Sequence, residues 1–408
     1  MTTTHRASSP VAATPLWSVL TVTFLVSLGT GVFWNAIGFI AKHGYDFSQA
    51  RTLVLYLVMG VVYTIGASRA GRITRWCERW VGPRTLLAMV ILIQSLLCVL
   101  PVVTEHVAAL WIAVAGAAAS SSIIWPLVES YMSAGRHGQE MRGAIGWFNL
   151  VWMSAVGVPL LLMPPILAEN AEWAVGGQAV ANALALVPLF WFRASPGHHD
   201  PAIVAEHVGG EYPLLLRCAR ILLPMSYVLN AALSPILPYR FEEIGAAIEL
   251  ETPATATWMY VRVAAMVVMW RVGFWHGRWG TLLLAGVTMT GGFAVVILAP
   301  TMAGVLAGLT VFGVGMGMSY YAALYYAMAV GHAQVDASGT HEALIGAGYS
   351  VGPAAGLVGA MLGGGAAIVG IVSGVVGIGA AFAWLPYRVA RRRRRAARQH
   401  AARTIDAP

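Results

Sequence analysis

The sequence predicts an all-α integral membrane protein of twelve transmembrane helices in two halves of six. Three observations lead there: an apolar composition, a succession of membrane-length apolar runs, and one long polar break near the midpoint. Of the 408 residues, 58% are hydrophobic and 10% charged, with a mean hydropathy of +0.71. A soluble domain carries roughly a quarter charged residues, so this surface suits lipid rather than water. A hydrocarbon core about 30 Å thick takes roughly 20 apolar residues per helical span.

Taken in order, the apolar runs of the first half fall near residues 16–41, 52–68, 85–103, 107–133, 144–167 and 174–192. Those of the second half fall near 213–237, 254–273, 281–300, 302–330, 343–365 and 366–387. The first run, Leu16 to Ala41, is too long for the core of a signal peptide and is followed at once by another span, so it reads as the first membrane helix. The second carries its basic residues just beyond its apolar stretch. In the fourth, Glu129 lies in the third nearest the following basic loop. The eighth contains Arg262 about nine residues in, near mid-bilayer. In the eleventh, Gly348, Gly352, Gly356, Ala360 and Gly364 recur every fourth residue, a smooth ridge that lets another helix approach closely.

Charge placement orients the spans. Arg69, Arg72, Arg75, Arg79 and Arg84, then Arg136 and Arg142, then Arg193, Arg217 and Arg220, then Arg271 and Arg278 occupy alternate connections, and Arg391 to Arg395 follow the last span. The opposite connections hold Lys42, Arg51 and Arg240 among the acids Asp46, Glu105, Glu169, Glu172, Glu242, Glu243, Glu249 and Glu251. By the positive-inside rule both termini are cytoplasmic, in a cell membrane crossed many times. A pI of about 9.6 and a net charge of +8 therefore mark membrane topology and affinity for anionic headgroups, not nucleic acid. The chain divides into a tail (1–15), a first six-helix bundle (16–192), a linker (193–212), a second bundle (213–387) and an Arg-rich tail (388–408). Cys77, Cys98 and Cys218 show no paired spacing, so neither a disulfide framework nor a metal site is expected, and the three read as small apolar packing residues.

The six-plus-six division suggests duplication, and Ala144-Ile145-Gly146 opening the fifth span is echoed by Leu344-Ile345-Gly346 opening the eleventh. On this architecture the chain resembles the major facilitator superfamily, whose two six-helix bundles are related by an axis along the membrane normal. The family signature between spans two and three, G-x-x-x-D-R-x-G-R-R, corresponds here to GRITRWCERWVGPR from Gly71 to Arg84, with altered spacing. The resemblance gives Glu78 and Arg79 a role at an inner gate. The matching stretch of the second half, WHGRWG from Trp275 to Gly280, is more degenerate. GYSVGPAAG from Gly348 to Gly356 is similar to the Gly-Pro motif of the family's exporters, displaced from span five to span eleven, where close helix packing is the plainer role.

Spans one, four, seven and ten line the cavity in this family, which nominates Asn35, Trp125, Asn230, Tyr320, Tyr321, Tyr325 and Tyr326 as substrate-binding residues; packing or interface anchoring is the alternative for each aromatic. Arg262 comes from the residues themselves, because an arginine near mid-bilayer costs about +2.5 to +3.5 kcal/mol and must be compensated. It either binds an anionic group in a wet cavity or pairs with carbonyls, tyrosines or an acid nearby. Glu129 is the candidate coupling acid with Arg142 as its partner near the membrane surface, and a plain gate ion pair between the two is the alternative. Gln94, deep in the peripheral third span, reads as helix-to-helix glue.

His332, Asp336, His341 and Glu342 resemble an acid–base set, but they lack metal-ligand spacing and a nucleophile. Ser338-Gly339-Thr340 reads as a loop and helix start, with Glu342 in the first turn. Arg142 and Glu342, opening equivalent spans, suggest a latch between the bundles. The sequence thus points to a monomeric secondary or facilitative transporter that moves a small organic anion by alternating access, without enzymatic activity, cofactor or metal. Efflux of amphipathic compounds is the second reading, and a non-transporting receptor or lipid-handling scaffold the third.

Overall fold

The computed structural model describes residues 13–104, 106–136, 138–196, 211–329 and 335–405, and among them there is no β-strand. Twelve long helices follow in chain order: α1 (Leu16–Tyr45), α2 (Gln49–Cys77), α3 (Pro83–Val103), α4 (Val107–Ser133), α5 (Gly138–Leu162) and α6 (Trp173–Trp191), then α7 (Tyr212–Leu233), α8 (Ile248–Arg271), α9 (Trp279–Leu298), α10 (Met302–Ala329), α11 (Val335–Gly363) and α12 (Gly365–Ile405). Eleven of them are long and apolar enough to cross a membrane. The remaining one, α8, has membrane length over its 24 residues but carries Glu249, Glu251, Arg262 and Arg271 along with three threonines. The chain is a multi-pass membrane protein.

Two bundles are visible in the packing. Within the first, α1 packs on α5 and α6, α2 on α4, and α3 on α4 and α6; adding six to each number gives the packing of the second, α7 on α11 and α12, α8 on α10, and α9 on α10 and α12. The same operation exchanges the two interfaces between bundles, α2 with α11 and α5 with α8. Close approach at the first interface depends on glycine. A Cβ on Gly60 of α2 would strike the Tyr349 carbonyl, and one on Gly346 of α11 would meet the Thr64 backbone. Gly348 and Gly352 serve a different contact, facing the α7 backbone from Pro224 to Ala232 inside the second bundle. The ridge read from the sequence therefore packs on α7, with Gly356 also reaching Leu53 of α2. Its i and i+4 glycines hold α7, while Gly346, offset by about 100° per residue, meets the other bundle. Gly364, at φ +76° in the turn to α12, lies outside that packing.

Some expected boundaries shift. α2 and α12 run beyond the apolar stretch into their basic segments, because leaving the bilayer does not end a helix that still has its backbone bonds. The expected fifth span ends earlier, at Leu162, and a short helix, Pro164–Glu169, follows. α11 begins at Val335, eight residues before the expected start, so Ser338, Gly339 and Thr340 are helical and Glu342 is not in a first turn. The propensity cost of that triplet, about 1 kcal/mol for its glycine, is small beside a 29-residue helix and does not terminate it. Outward faces present Ile93, Leu96, Leu284, Val287, Met361 and Phe382 to lipid, and Trp76, Trp80, Trp191 and Trp270 are exposed near the Arg-rich end. Indole rings favour that interfacial depth. The three cysteines are free.

Candidate functional site: an aromatic cavity between the bundles

Two adjoining cavities lie between the bundles and share Thr30, Trp152, Tyr227 and Tyr349 as walls. α1 is interrupted here. Residues Val32–Ala36 form a π-helical turn, whose wider i→i+5 pattern marks functional positions in many helices. The turn carries Trp34 and Asn35 into the cavity walls, and Asn35 Nδ2 donates to the Thr30 carbonyl at 3.2 Å.

Eight of the twelve residues lining the larger cavity are aromatic, enough to make its walls a continuous set of ring faces and edges. Trp34 stacks on Tyr349 with centroids 3.8 Å apart, and Tyr63 and Tyr227 meet the same tyrosine edge-on. Across from them Trp125 contacts Phe148 and Trp152, and Trp152 lies 5.4 Å from Tyr320. The remaining wall holds Glu129 and Glu342. Glu342 is buried and accepts a hydrogen bond from the Tyr63 hydroxyl of the other bundle.

Arg262 lines the smaller cavity with Asn35 and Asn230. Its guanidinium sits 5.2 Å from the Trp152 ring of the first bundle and 4.8 Å from the Tyr320 ring of the second. Tyr227 lies within hydrogen-bonding reach. Arg262 is only 6% exposed, yet Nε and Nη2 find no hydrogen-bond partner, and the Oδ1 atoms of Asn35 and Asn230, each 3% exposed, find none either. Two donor atoms and two acceptor atoms without partners thus belong to three residues that line one cavity.

The aromatic residues of α10 divide. Tyr320 lines the cavity, whereas Tyr321, Tyr325 and Tyr326 are absent from both cavity walls and pack beneath them on the loop after α8. Tyr325 stacks on His276 at 4.2 Å, and Tyr326 accepts from the Gly277 amide at 3.1 Å. The helical 100° step between neighbours makes this division unavoidable. Arg142 is exposed, while Glu342 is a cavity-wall residue. Glu78 and Arg79 are exposed in the turn after α2, and Arg84 of the same segment donates to the Phe192 carbonyl within its own bundle at 3.1 Å. Gln94 Nε2 reaches Ser121 Oγ at 3.5 Å, joining α3 to α4. His332 and the side chains of Asp336 and His341 lie outside the described residues, and among those described no cluster of potential metal ligands occurs.

Sequence reasoning missed three features. The aromatic wall includes Trp34, Tyr63, Trp152, Tyr227 and Tyr349, of which Tyr63 and Tyr349 sit on α2 and α11, helices treated as packing surfaces. Glu342 belongs to the cavity. The third is a rim at the acidic end that ties the bundles together. There Lys42 Nζ donates to the Pro238 carbonyl at 2.8 Å and pairs with Glu242 at 2.9 Å, and His43 Nε2 lies 2.8 Å from Glu251. Tyr239 donates to the Phe47 carbonyl at 2.6 Å and hydrogen-bonds Thr52 at 2.7 Å. Burial raises the Tyr239 pKa above its ordinary value, which keeps the phenol protonated as a donor.

Paired helices, exchangeable interfaces and a midplane cavity between them characterise one architecture, and solved structures share it. A bacterial homolog of the human lysosomal transporter Spinster, in an inward-facing and unoccupied conformation, aligns over 92% of this chain and 98% of its own, with a TM-score of 0.61 at 14% identity. The nucleoside transporter NupG aligns over 91% of this chain and 98% of its own, with a TM-score of 0.65 at 12% identity. This is the major facilitator fold. No family model and no curated protein matches the sequence itself. Arg262, Asn35 and Asn230 line the smaller of the two cavities between the bundles of this fold.

Proposed function

We propose that this protein moves a small solute bearing an anionic group across a cell membrane by alternating access, with Arg262 as the anion's ligand. The observation that carries the reading is the buried guanidinium whose Nε and Nη2 have no partner inside a cavity between the bundles. A buried charge without hydrogen bonds is costly, and a carboxylate or phosphate offers the planar acceptor pair that Nε and Nη2 require.

Further support comes from the bonds that tie the bundles at the acidic rim, where Lys42 meets Pro238 and Glu242 and His43 meets Glu251, on the side opposite the Arg-rich end. By the positive-inside rule that end is cytoplasmic, with both termini inside. The chain then acts as a monomer in the cytoplasmic membrane, with its basic tail on anionic headgroups, and with Glu78, Arg79 and the Arg142–Glu342 pair regulating closure at the Arg-rich end. The reading involves no covalent chemistry and no cofactor.

The test is thermal stabilisation of the purified protein by a panel of organic anions and amphipathic cations, on wild type and Arg262→Ala. Anions that stabilise the wild type should bind the variant roughly thirtyfold more weakly, the effect of about 2 kcal/mol expected from truncating one partner of a buried charge pair. Anions that stabilise both proteins equally would remove Arg262 from the site, and stabilisation by cations alone would favour amphipathic efflux.

A further inference from the structure

We infer that the solute is bipolar: a flat apolar body with an anionic group at Arg262 and a protonated nitrogen at the opposite, carboxylate-bearing end of the same cavity. The inference rests on the anion reading above and adds a second, independent recognition element to it.

The geometry that points there is the arrangement of charge around the rings. Arg262 and the two unpaired asparagine oxygens occupy one end of the joined space. Glu129 and Glu342 occupy the wall of the other. Between them the shared walls are Thr30 and three aromatic rings, Trp152, Tyr227 and Tyr349. Glu342 is only 7% exposed, and its Tyr63 partner is an uncharged hydroxyl, which uses one of the roughly four acceptor positions a carboxylate offers.

A purely anionic solute would satisfy Arg262 and place nothing cationic beside Glu342. A purely cationic solute would satisfy Glu342 and leave the guanidinium donors empty. A solute with both groups adds no net charge and supplies each end with what it lacks. The rings suit the same ligand, since aromatic faces accept both a flat apolar body and a cationic nitrogen within about 6 Å. An ammonium or amidinium also has donors to spare, so it can share the carboxylate with Tyr63 without displacing it.

Three indole probes that differ only in their end groups test this. Tryptophan carries a carboxylate and an ammonium, indole-3-propionate the carboxylate alone, and tryptamine the ammonium alone. Equilibrium dialysis of each radiolabelled probe against the detergent-purified full chain should show tryptophan binding at least tenfold more tightly than either single-ended analogue. Glu342→Gln keeps a carbonyl for Tyr63 to donate to, and so keeps that contact. It should weaken tryptophan and tryptamine about tenfold and leave indole-3-propionate unchanged. Arg262→Ala should give the mirror result, weakening tryptophan and indole-3-propionate and sparing tryptamine.

The inference is overturned if indole-3-propionate binds wild type as tightly as tryptophan, if Glu342→Gln weakens all three probes alike, or if none of the three binds. The two proposals fail separately. An indole-3-propionate signal that depends on Arg262 but gains nothing from the ammonium removes the bipolar ligand and leaves the anion reading standing. A signal indifferent to Arg262→Ala removes the anion reading itself.

Discussion

Arg262 is expensive where it sits. A guanidinium 6% exposed, held by two rings but with Nε and Nη2 unbonded, keeps a charge away from water without full compensation. Its two possible roles separate on stability. As a structural pair its removal would expose an uncompensated partner and lower the melting temperature; as a ligand residue waiting for its anion, its replacement by an apolar chain of similar length relieves strain. Arg262→Met is expected to raise the stability of the solute-free protein by about 1 to 3 kcal/mol and to abolish stabilisation by anions. A lower melting temperature than wild type would assign Arg262 to structure. At this scale the sequence was legible only in part. An arginine amid apolar residues is conspicuous at any position, whereas Tyr63 and Tyr349 look like any interfacial tyrosines until two helices are brought together.

At the scale of the helix, the contrast is between glycines that admit a neighbour and glycines that do not. Gly348 and Gly352 lie against the α7 backbone, so a methyl group there forces two helices apart, while Gly370 on α12 faces open space. Gly348→Ala should destabilise the protein by about 1 to 3 kcal/mol in a thermal melt. Gly370→Ala, in the same kind of helix with nothing to strike, should hold or gain about 0.5 to 1 kcal/mol. Equal melting temperatures for the two would mean that α11 and α7 can separate freely. Period-four spacing revealed that a close contact exists. It did not reveal the partner, because α7, α2 and α12 all present surfaces of suitable apolarity. The echo between Ala144-Ile145-Gly146 and Leu344-Ile345-Gly346 shows the same limit: Gly346 packs on Thr64, yet nothing lies within 4 Å of a Cβ at Gly146.

For the whole molecule, the energy that holds the bundles together at the acidic rim sets how readily the cavity opens to that side. The Lys42–Glu242 pair contributes little alone, since Glu242 is 67% exposed and such pairs are worth about 0 to 1 kcal/mol. The bond from the same ammonium to the Pro238 carbonyl is better shielded, with Lys42 12% exposed. Lys42→Met removes both and should shift the population open at the acidic end by about fivefold, equivalent to about 1 kcal/mol. In a background without native cysteines, Thr30→Cys on the cavity wall reports the change as faster labelling by a membrane-impermeant thiol reagent added to the acidic side. An unchanged labelling rate would mean that the rim does not control access. The rim went unread in the sequence because its pairs, Lys42–Pro238, His43–Glu251 and Thr52–Tyr239, lie 187 to 208 residues apart.

What the sequence determined by itself was the membrane class, the number and order of spans, their division into two sixes and the deep arginine. These follow from a solvent whose demands are local: each stretch of about 20 residues must satisfy its own backbone bonds and match lipid on its own. What only the tertiary structure decided was which faces turn inward. The π-helical turn that delivers Trp34 and Asn35, the placement of Tyr320 on the cavity and Tyr321, Tyr325 and Tyr326 off it, and the transfer of Glu342 from a helix start to a cavity wall all depend on rotation about helix axes. Hydropathy cannot report that rotation, because lipid and a packed apolar neighbour are equally apolar; it is set by close packing against other helices, and those contacts exist only once the bundles have formed.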